Sequence, residues 1–238
     1  MTKPWIHQHE LYGLGNFINL TPTIKLLAEH LGHPIPVYFD LDFIKQCYLD
    51  CSFIEILDRR PSEPPAFSSG LINVRNNCPD YLHVYREVTK RYPLDGELPH
   101  TYIDTASEIL APKYNTLFIR GSGSEQRTYL DSKMPDDRYY KRYFARNLSG
   151  LYTEAFTGSE QDVERADGLF NDMTCYTGGI RLALALICEA DYIVANDSGL
   201  AHAAAAMRKP MTILWKNTSL PKNGNPNANC RIRMCNET

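Results

Sequence analysis

The segment from Ala190 to Trp215, ADYIVANDSGLAHAAAAMRKPMTILW, constrains the fold of this chain more than any other. Residues 191–195 are short, apolar and partly β-branched, which is typical of a buried strand. Residues 200–207 are rich in alanine and predict a helix, which Lys209-Pro210 ends. Residues 211–215 are apolar again and predict a second strand. Strand, helix and strand in this order form a βαβ unit, which requires parallel strands and a right-handed crossover.

The turn Asn196-Asp197-Ser198-Gly199 joins the first strand of this unit to its helix. If Ser198 caps the helix, the unpaired backbone N–H groups and the helix dipole at that end form an anion site. In a doubly wound sheet such a turn lies at the carboxyl ends of the strands, where ligands bind. His202 follows Ser198 by four residues, so both side chains share one helix face. A capped helix without a ligand, with His202 in the core, is the alternative.

Composition bounds the class of protein. The chain has 238 residues, of which 43% are hydrophobic, enough for one large or two small α/β domains. Its net charge of −3 argues against a broad basic surface for nucleic acid. No apolar run approaches membrane-spanning length and the first residues lack a signal-peptide core, so we expect a soluble, cytoplasmic protein. The seven cysteines include no CxxC pair, which favours reduced thiols, with Cys47 and Cys51 in the core.

Two loops contain closely spaced glycines. One precedes a predicted helix, and the other follows a predicted strand. Gly13-Leu-Gly15-Asn16 comes before Thr21-Pro22, which we interpret as the N-cap and first residue of a helix ending at Gly32. The strand Thr116–Ile119 leads directly into the loop Arg120-Gly-Ser-Gly-Ser-Glu-Gln-Arg127. A strand followed by a Gly/Ser loop with arginines suits phosphate binding. Each loop is equally compatible with a tight turn or a surface loop that binds nothing.

Strands alternate with helices along the chain in two halves. This order predicts α/β architecture with parallel sheets, in two units facing each other across a cleft. We place the domains at residues 1–112 and 113–238. The residues after Trp215 are rich in asparagine and predict turns with little core.

Three segments occur in the order found in a known family. They are Gly13-Leu-Gly15-Asn16 with Thr21-Pro22, then Phe118 to Arg127, and then Thr177-Gly178 through Ala190-Asp191 and Asn196-Asp197-Ser198-Gly199 to His202. Together they resemble glycosyltransferase family 9, the lipopolysaccharide heptosyltransferase-like enzymes of GT-B fold. The third segment is the most specific. The chain is identified as a compact and divergent member with a reduced N-terminal half.

The resemblance implies both a fold and a reaction. The fold would be two Rossmann-like domains, with the acceptor side in residues 1–112 and the nucleotide-sugar donor side in residues 113–238. The reaction would move a heptose or hexose from a nucleoside-diphosphate donor, often ADP-linked, to an acceptor hydroxyl with inversion. No metal and no separate cofactor are implied, because a helix N-terminus and a guanidinium can oppose the charge on the leaving diphosphate.

The resemblance also implies roles for individual residues of this sequence. The donor phosphates would be held by Ser122, Gly123, Arg127 and the backbone at Ser198, Gly199 and Leu200, with support from His202. Asp197 and Arg127 would act in catalysis, Asp197 by contacting the donor sugar. Glu160, or less readily Asp162, would bind the ribose hydroxyls. Gly13 and Gly15 would lie in a loop near the acceptor.

Asn16 departs from the pattern of the family. At this position the family carries an aspartate that is thought to act as the general base, and an amide cannot accept that proton at neutral pH. Three alternatives stay open. Another group serves as base, with His7, His9, Asp40 and Asp42 as candidates on nearby strand ends; or the reactive sugar centre needs little base help; or the protein binds nucleotide sugars without catalysis.

The acceptor is the least transferable part of the prediction. A glycan or another hydroxyl compound is favoured. A hydroxymethylated DNA base is the alternative acceptor, as in a viral-type transferase. For the function as a whole, a different βαβ nucleotide enzyme is a further alternative. A predicted helix at residues 135–148 keeps nucleic acid in view through its aromatic and basic side chains, Tyr139, Tyr140, Lys141, Arg142 and Arg146.

Overall fold

The chain folds into two α/β units. The computed structural model describes residues 3–11, 13–70, 80–121, 135–147, 155–157, 162, 173–216 and 230–235. By their contacts these residues form two compact units, which meet along the chain between Asp104 and Thr105. Each unit contains one sheet, and every described strand pair in both sheets is parallel. The predicted fold class is therefore confirmed.

The first unit contains four described strands in the order β3-β2-β1-β4. These strands are β1 (Ile6–Gln8), β2 (Ile35–Phe39), β3 (Ile54–Ile56) and β4 (Phe67–Ser68). The helices are α1 (Leu14–Leu31), α2 (Asp42–Lys45), which continues as a 3-10 turn at Gln46–Tyr48, and α3 (Asp80–Thr89). Because β1 is flanked by β2 and β4, the carboxyl ends of three strands lie side by side at one edge of this sheet.

Helix α1 begins earlier than the sequence predicts. It starts at Leu14, with Gly13 as its N-cap, and continues through Pro22. The predicted N-cap at Thr21 is wrong because the side chain of Thr21 compensates for the proline. Pro22 has no N–H to donate to the Ile18 carbonyl, and Thr21 Oγ1 donates to that carbonyl instead, at 2.7 Å. The predicted helix end at Gly32, with φ of 73°, is confirmed.

The second unit contains a larger sheet, with described strands in the order β10-β9-β8-β5-β6-β7. These strands are β5 (Thr116–Ile119), β6 (Ala155–Thr157), β7 (Thr174–Tyr176), β8 (Tyr192–Asn196), β9 (Met211–Trp215) and β10 (Cys230–Met234). The helices are α4 (Asp137–Asn147), α5 (Gly179–Glu189) and α6 (Gly199–Ala206). The βαβ unit predicted from residues 190–215 is confirmed as β8, α6 and β9.

The prediction that the tail contributes little structure is wrong for its last part. Strand β10 pairs in parallel with the whole of β9, from Cys230 opposite Met211 to Met234 opposite Trp215. Arginine alternates with apolar residues in CRIRM, and alternation with a period of two is typical of a strand. Cys235, which follows it, is buried in the core.

The core of the second unit includes the aromatic side of α4. Tyr140, Tyr143 and Phe144 are buried in one cluster with Phe118 of β5. Tyr140 is completely buried, so it cannot stack on a nucleic-acid base, and Lys141, Arg142 and Arg146 are exposed. In the first unit Cys47 and Cys51 are buried, as expected of core residues. Within the described ranges, no helix is both long enough and apolar enough to cross a bilayer.

Candidate active site

The start of α6 lies at the carboxyl end of β8, in the second unit. Ser198 is the N-cap, in extended conformation, and its hydroxyl accepts from the backbone N–H of Ala201 at 3.2 Å. The predicted cap is thus confirmed. The amides of Gly199 and Leu200 have no acceptor within the helix, because the first N–H groups of a helix lack a preceding carbonyl. This helix start can therefore donate several backbone hydrogen bonds to an anion.

Asn196 joins the ends of two strands at the same edge of this sheet. Its side chain is completely buried, and it pairs with both polar groups of the Gly121 backbone. Asn196 Oδ1 accepts from the N–H of Gly121 at 3.0 Å, and Nδ2 donates to the carbonyl of Gly121 at 3.0 Å. Nδ2 also lies 3.2 Å from the carbonyl of Asp197. One amide therefore fixes the end of β5, where the loop to Arg127 begins, beside the turn into α6.

Asp197 and His202 lie together next to this turn. The carboxylate Oδ1 of Asp197 is 3.6 Å from Nε2 of His202, and Asp197 is 2% exposed. Nδ1 of His202 is buried and has no hydrogen-bond partner among the described residues. The backbone N–H of His202 donates to the carbonyl of Ser198 at 3.1 Å, so His202 lies one helical turn after the cap.

Arg120 has a structural role. Its side chain is 8% exposed, Nη2 donates to Asp137 Oδ1 at 2.6 Å, and the guanidinium lies 5.2 Å from the ring centre of Tyr140. Of the other residues that the sequence places at the phosphates and ribose, Ser122, Gly123, Arg127 and Glu160 lie outside the described residues. Asp162, the alternative to Glu160, is nine-tenths buried, and its carboxyl carbon would lie 2.6 Å from a methyl group placed on Gly121.

A second polar group lies in the first unit, at the carboxyl edge of its sheet. Nε2 of His7, in β1, lies 2.9 Å from Oδ2 of Asp40, which directly follows β2. The same carboxylate oxygen accepts from the backbone N–H of Glu10 at 3.1 Å. Burial raises the pKa of Asp40, but the hydrogen bonds from His7 and Glu10 outweigh it, and the pKa is lowered from its usual value.

The surrounding side chains hold this edge in place. Gln8 is completely buried, and its Oε1 accepts from the backbone N–H of Leu41 at 3.1 Å. The hydroxyl of Ser69, at the end of β4, accepts from the N–H of His9 at 2.9 Å. The rings of His7 and His9 lie 5.3 Å apart on one face of the sheet. The ends of β1, β2 and β4 are therefore cross-linked by polar side chains.

Asn16 lies in the first turn of α1. It is half-buried, and the sequence-predicted loop residues Gly13 and Gly15 lie at the helix N-cap and in its first turn. Of the four base candidates, the structure brings together His7, His9 and Asp40. Asp42 is at the start of α2, where its Oδ2 accepts from Gln46 Nε2 at 2.7 Å.

Sequence reasoning missed three residues of these two edges. Asn196 was recognised only as a turn residue, and its pairing with Gly121 depends on the register between β5 and β8, which no local pattern contains. Gln8 and Ser69 were not singled out at all. For Asn196 the available signal was a polar residue at the last position of an apolar strand, whereas β1, with the sequence IHQ, offered no such contrast for Gln8.

Comparison with known protein families shows which class of protein this chain resembles. Residues 131–237 match the model of glycosyltransferase family 9 (heptosyltransferase). Residues 131–237 are thus similar to glycosyltransferase family 9. The predicted resemblance, and with it the prediction of a glycosyltransferase, is confirmed. The match contains β8 and α6 and begins after the Arg120–Arg127 loop, and no curated protein sequence matches the chain.

Solved structures of the same class resemble the whole chain. The family 9 glycosyltransferase of Veillonella parvula is 14% identical, with a TM-score of 0.73 over 98% of this chain and 86% of that one. The E. coli heptosyltransferase WaaC, solved with ADP, is 10% identical, with a TM-score of 0.71 over 98% and 93%. The E. coli ADP-heptose LPS heptosyltransferase II is 14% identical, with a TM-score of 0.62 over 98% and 90%. At these identities the likeness shows the fold, which is GT-B-like.

Proposed function

We propose that this family 9 protein transfers a heptose or hexose from a nucleoside-diphosphate donor to an acceptor hydroxyl, with inversion and without a metal ion. The donor is assigned to the second unit and the acceptor to the first. The observation that carries the proposal is the open start of α6, which follows β8 within the segment that matches the family. Backbone N–H groups at such a position favour a diphosphate.

The chemistry follows from where charge develops. As the bond between the sugar and the diphosphate breaks, negative charge grows on the leaving phosphate oxygen. The N–H groups of Gly199 and Leu200, the dipole of α6 and the guanidinium of Arg127 would oppose that charge. Asp197 would contact the donor sugar, and Glu160 or Asp162 the ribose. Ser122 and Gly123 would complete the phosphate loop that Asn196 anchors at Gly121.

A silent binding protein is the second candidate, and Asn16 is the observation that favours it. An amide in the first turn of α1 leaves no carboxylate at the position where the family carries its base. Such a protein would bind the donor and release no nucleotide. Product formation therefore distinguishes the two candidates, whereas donor binding alone does not.

Among acceptors, a glycan or another small hydroxyl compound is favoured over a modified DNA base. Single-strand binding by stacking needs exposed aromatic rings beside basic groups. In α4 the basic residues are exposed, but Tyr140 and Tyr143 are buried in the core. This leaves Tyr139 as the half-buried tyrosine of that helix. Nucleic acid remains a weaker alternative for the acceptor.

A thermal-shift screen of the purified protein tests the donor assignment. The panel contains ADP, UDP and GDP with ADP-heptose, UDP-glucose and GDP-mannose. A ligand at 100 times its Kd stabilises the native state by about 2.7 kcal/mol, so the best donor should raise the Tm by several degrees. The Arg127→Ala variant should lose most of this shift, because it removes the guanidinium that pairs with the diphosphate.

The matched control is Arg142→Ala, which removes an exposed arginine from α4. It should bind the donor as the unaltered protein does. If no nucleotide or nucleotide sugar shifts the Tm of well-folded protein, the proposed transfer reaction is wrong and only the fold is shared with the family. If Arg142→Ala loses the shift as Arg127→Ala does, the effect is one of overall charge.

A further inference from the structure

The proposed transfer reaction needs a group that removes the proton of the acceptor hydroxyl, and Asn16 cannot do so. We infer that Asp40 is the general base, with Oδ1 as the accepting atom, and that His7 is the residue that positions it. This inference rests on the proposed function and adds the missing catalytic group. It places the base after β2 instead of in the first turn of α1.

The two oxygens of Asp40 have different surroundings. Oδ2 accepts from both His7 Nε2 and the N–H of Glu10, at 2.9 and 3.1 Å. Among the described residues Oδ1 has no partner, and the side chain is 23% exposed. One oxygen is thus held in place while the other is available to an incoming O–H group. A held carboxylate with a free oxygen meets the geometric requirement of a general base.

His7 fits the positioning role better than the role of base. Its side chain is 4% exposed, and its Nε2 is occupied by Asp40. Two aromatic rings lie near it, Trp5 at 6.1 Å and Tyr38 at 6.0 Å between ring centres. A buried ring whose nitrogen already donates to a carboxylate orients that carboxylate. An acceptor molecule would reach Asp40 before it reached His7.

An aromatic contact brings Asp40 and Asn16 to the same part of the first unit. The rings of Phe17, in α1, and Phe39, the last residue of β2, lie 5.0 Å apart. Asn16 and Asp40 are the chain neighbours of these two rings. The ring of Tyr48 packs on both, at 4.9 Å from Phe17 and 6.1 Å from Phe39. The end of β2, which Asp40 follows, therefore lies near the first turn of α1.

The proposed step transfers the sugar to the acceptor oxygen and moves one proton to Asp40. The acceptor oxygen forms a bond to the anomeric carbon while the bond from that carbon to the diphosphate oxygen breaks. The bonding pair leaves with the nucleoside diphosphate, which gains the negative charge. The proton of the acceptor hydroxyl passes to Oδ1 of Asp40, which becomes a neutral carboxyl group. His7, His9 and the backbone N–H of Glu10 face Asp40 and keep it ionised before the step.

The test compares Asp40→Asn with Asp58→Asn, a matched change at an exposed aspartate just beyond β3. The probe is the member of ADP-heptose, UDP-glucose and GDP-mannose that shifts the Tm most, and water is the acceptor. Release of nucleoside diphosphate should fall about 10²- to 10⁴-fold in Asp40→Asn and stay unchanged in Asp58→Asn. The thermal shift should be retained in both. Asparagine keeps an acceptor for His7 and Glu10, so the fold should survive.

A double variant tests whether a carboxylate at position 16 can replace the one at position 40. Asn16→Asp added to Asp40→Asn should recover at least tenfold of the lost release, because it restores a carboxylate in the first turn of α1. If Asp40→Asn binds the probe and releases nucleotide at the unaltered rate, Asp40 is not the base. Binding by the unaltered protein without any release also overturns the assignment. Absence of binding contradicts the proposed function itself, so the two failures are distinguishable.

The role of His7 has its own readout. His7→Phe removes the hydrogen bond that lowers the pKa of Asp40, so the acid limb of the kcat/KM profile should move to higher pH. His7→Gln keeps an N–H donor and should leave that limb closer to its original position. A loss of release in His7→Phe with no movement of the limb would show a packing effect and overturn the positioning role.

Discussion

Asn196 is the residue on which the order of the second unit's carboxyl edge depends most. Asn196→Asp keeps the size of the side chain and removes its two N–H donors. The buried carboxylate would then face the carbonyl oxygens of Gly121 and Asp197. We expect a loss of about 3 kcal/mol in the free energy of unfolding, because a buried polar pair is broken and the remaining groups are unsatisfied.

The measurement is chemical denaturation followed by donor titration. Arg142→Ala, at an exposed arginine of the same unit, is the control and should change stability by less than about 0.5 kcal/mol. Donor affinity should fall at least tenfold in Asn196→Asp, since the loop after Gly121 carries Arg127. Unchanged affinity would mean that the loop is held by other contacts.

Single residues also mark the limit of sequence reasoning about the site. The Ser198 cap is a local feature, and a serine before an alanine-rich run was sufficient to predict it. His7 and Asp40 were nominated because both lie near strand ends. Their pairing, over 33 positions of chain, depends on the register of β1 against β2 and could not be predicted.

At the scale of elements, α1 continues through Pro22 because one threonine replaces the hydrogen bond that the proline cannot donate. Thr21 Oγ1 donates to the Ile18 carbonyl at 2.7 Å and accepts from the backbone N–H of Tyr102 at 2.8 Å. Thr23, one position beyond Pro22, is equally buried, but its hydroxyl has no partner among the described residues. The two threonines therefore form a matched pair for substitution by valine.

Thr21→Val should destabilise the first unit by about 2 kcal/mol, because it leaves a buried carbonyl and a buried amide without partners. Thr23→Val should be neutral or slightly stabilising, because it removes a polar group that is already unsatisfied. Urea denaturation monitored by circular dichroism measures both. Equal losses in the two variants would show that side-chain shape, and not hydrogen bonding, decides the stability of α1.

Elements differed in how well the sequence predicted them. Strands β5 and β9 were predicted with their observed bounds, because each is an apolar run whose pattern is local. Helix α1 was started too late, since Thr21-Pro22 has the composition of a helix start and only the contacts of Thr21 show otherwise. Strand β10 was missed because the asparagine-rich residues before it predict turns, and its pairing with β9 is not part of any local pattern.

At the scale of the whole molecule, the order of strands and helices was enough to predict two parallel α/β units. The family match adds similarity to glycosyltransferase family 9 in residues 131–237 and does not include residues 1–130. The first unit also contains Asn16, where the resemblance implies a departure from the family. The residues that recognise the acceptor could therefore be predicted neither from the sequence pattern nor from the similarity to family 9.

This division predicts where a bound donor stabilises the chain. Hydrogen exchange measured with and without ADP at 100 times its Kd should slow about 100-fold for amides in residues 192–206, whose opening must release the ligand. Amides of α1 should exchange at unchanged rates, because the donor is assigned to the second unit. Equal protection of α1 would move the nucleotide to the first unit. The donor would then not bind at the start of α6, although the family match includes that helix.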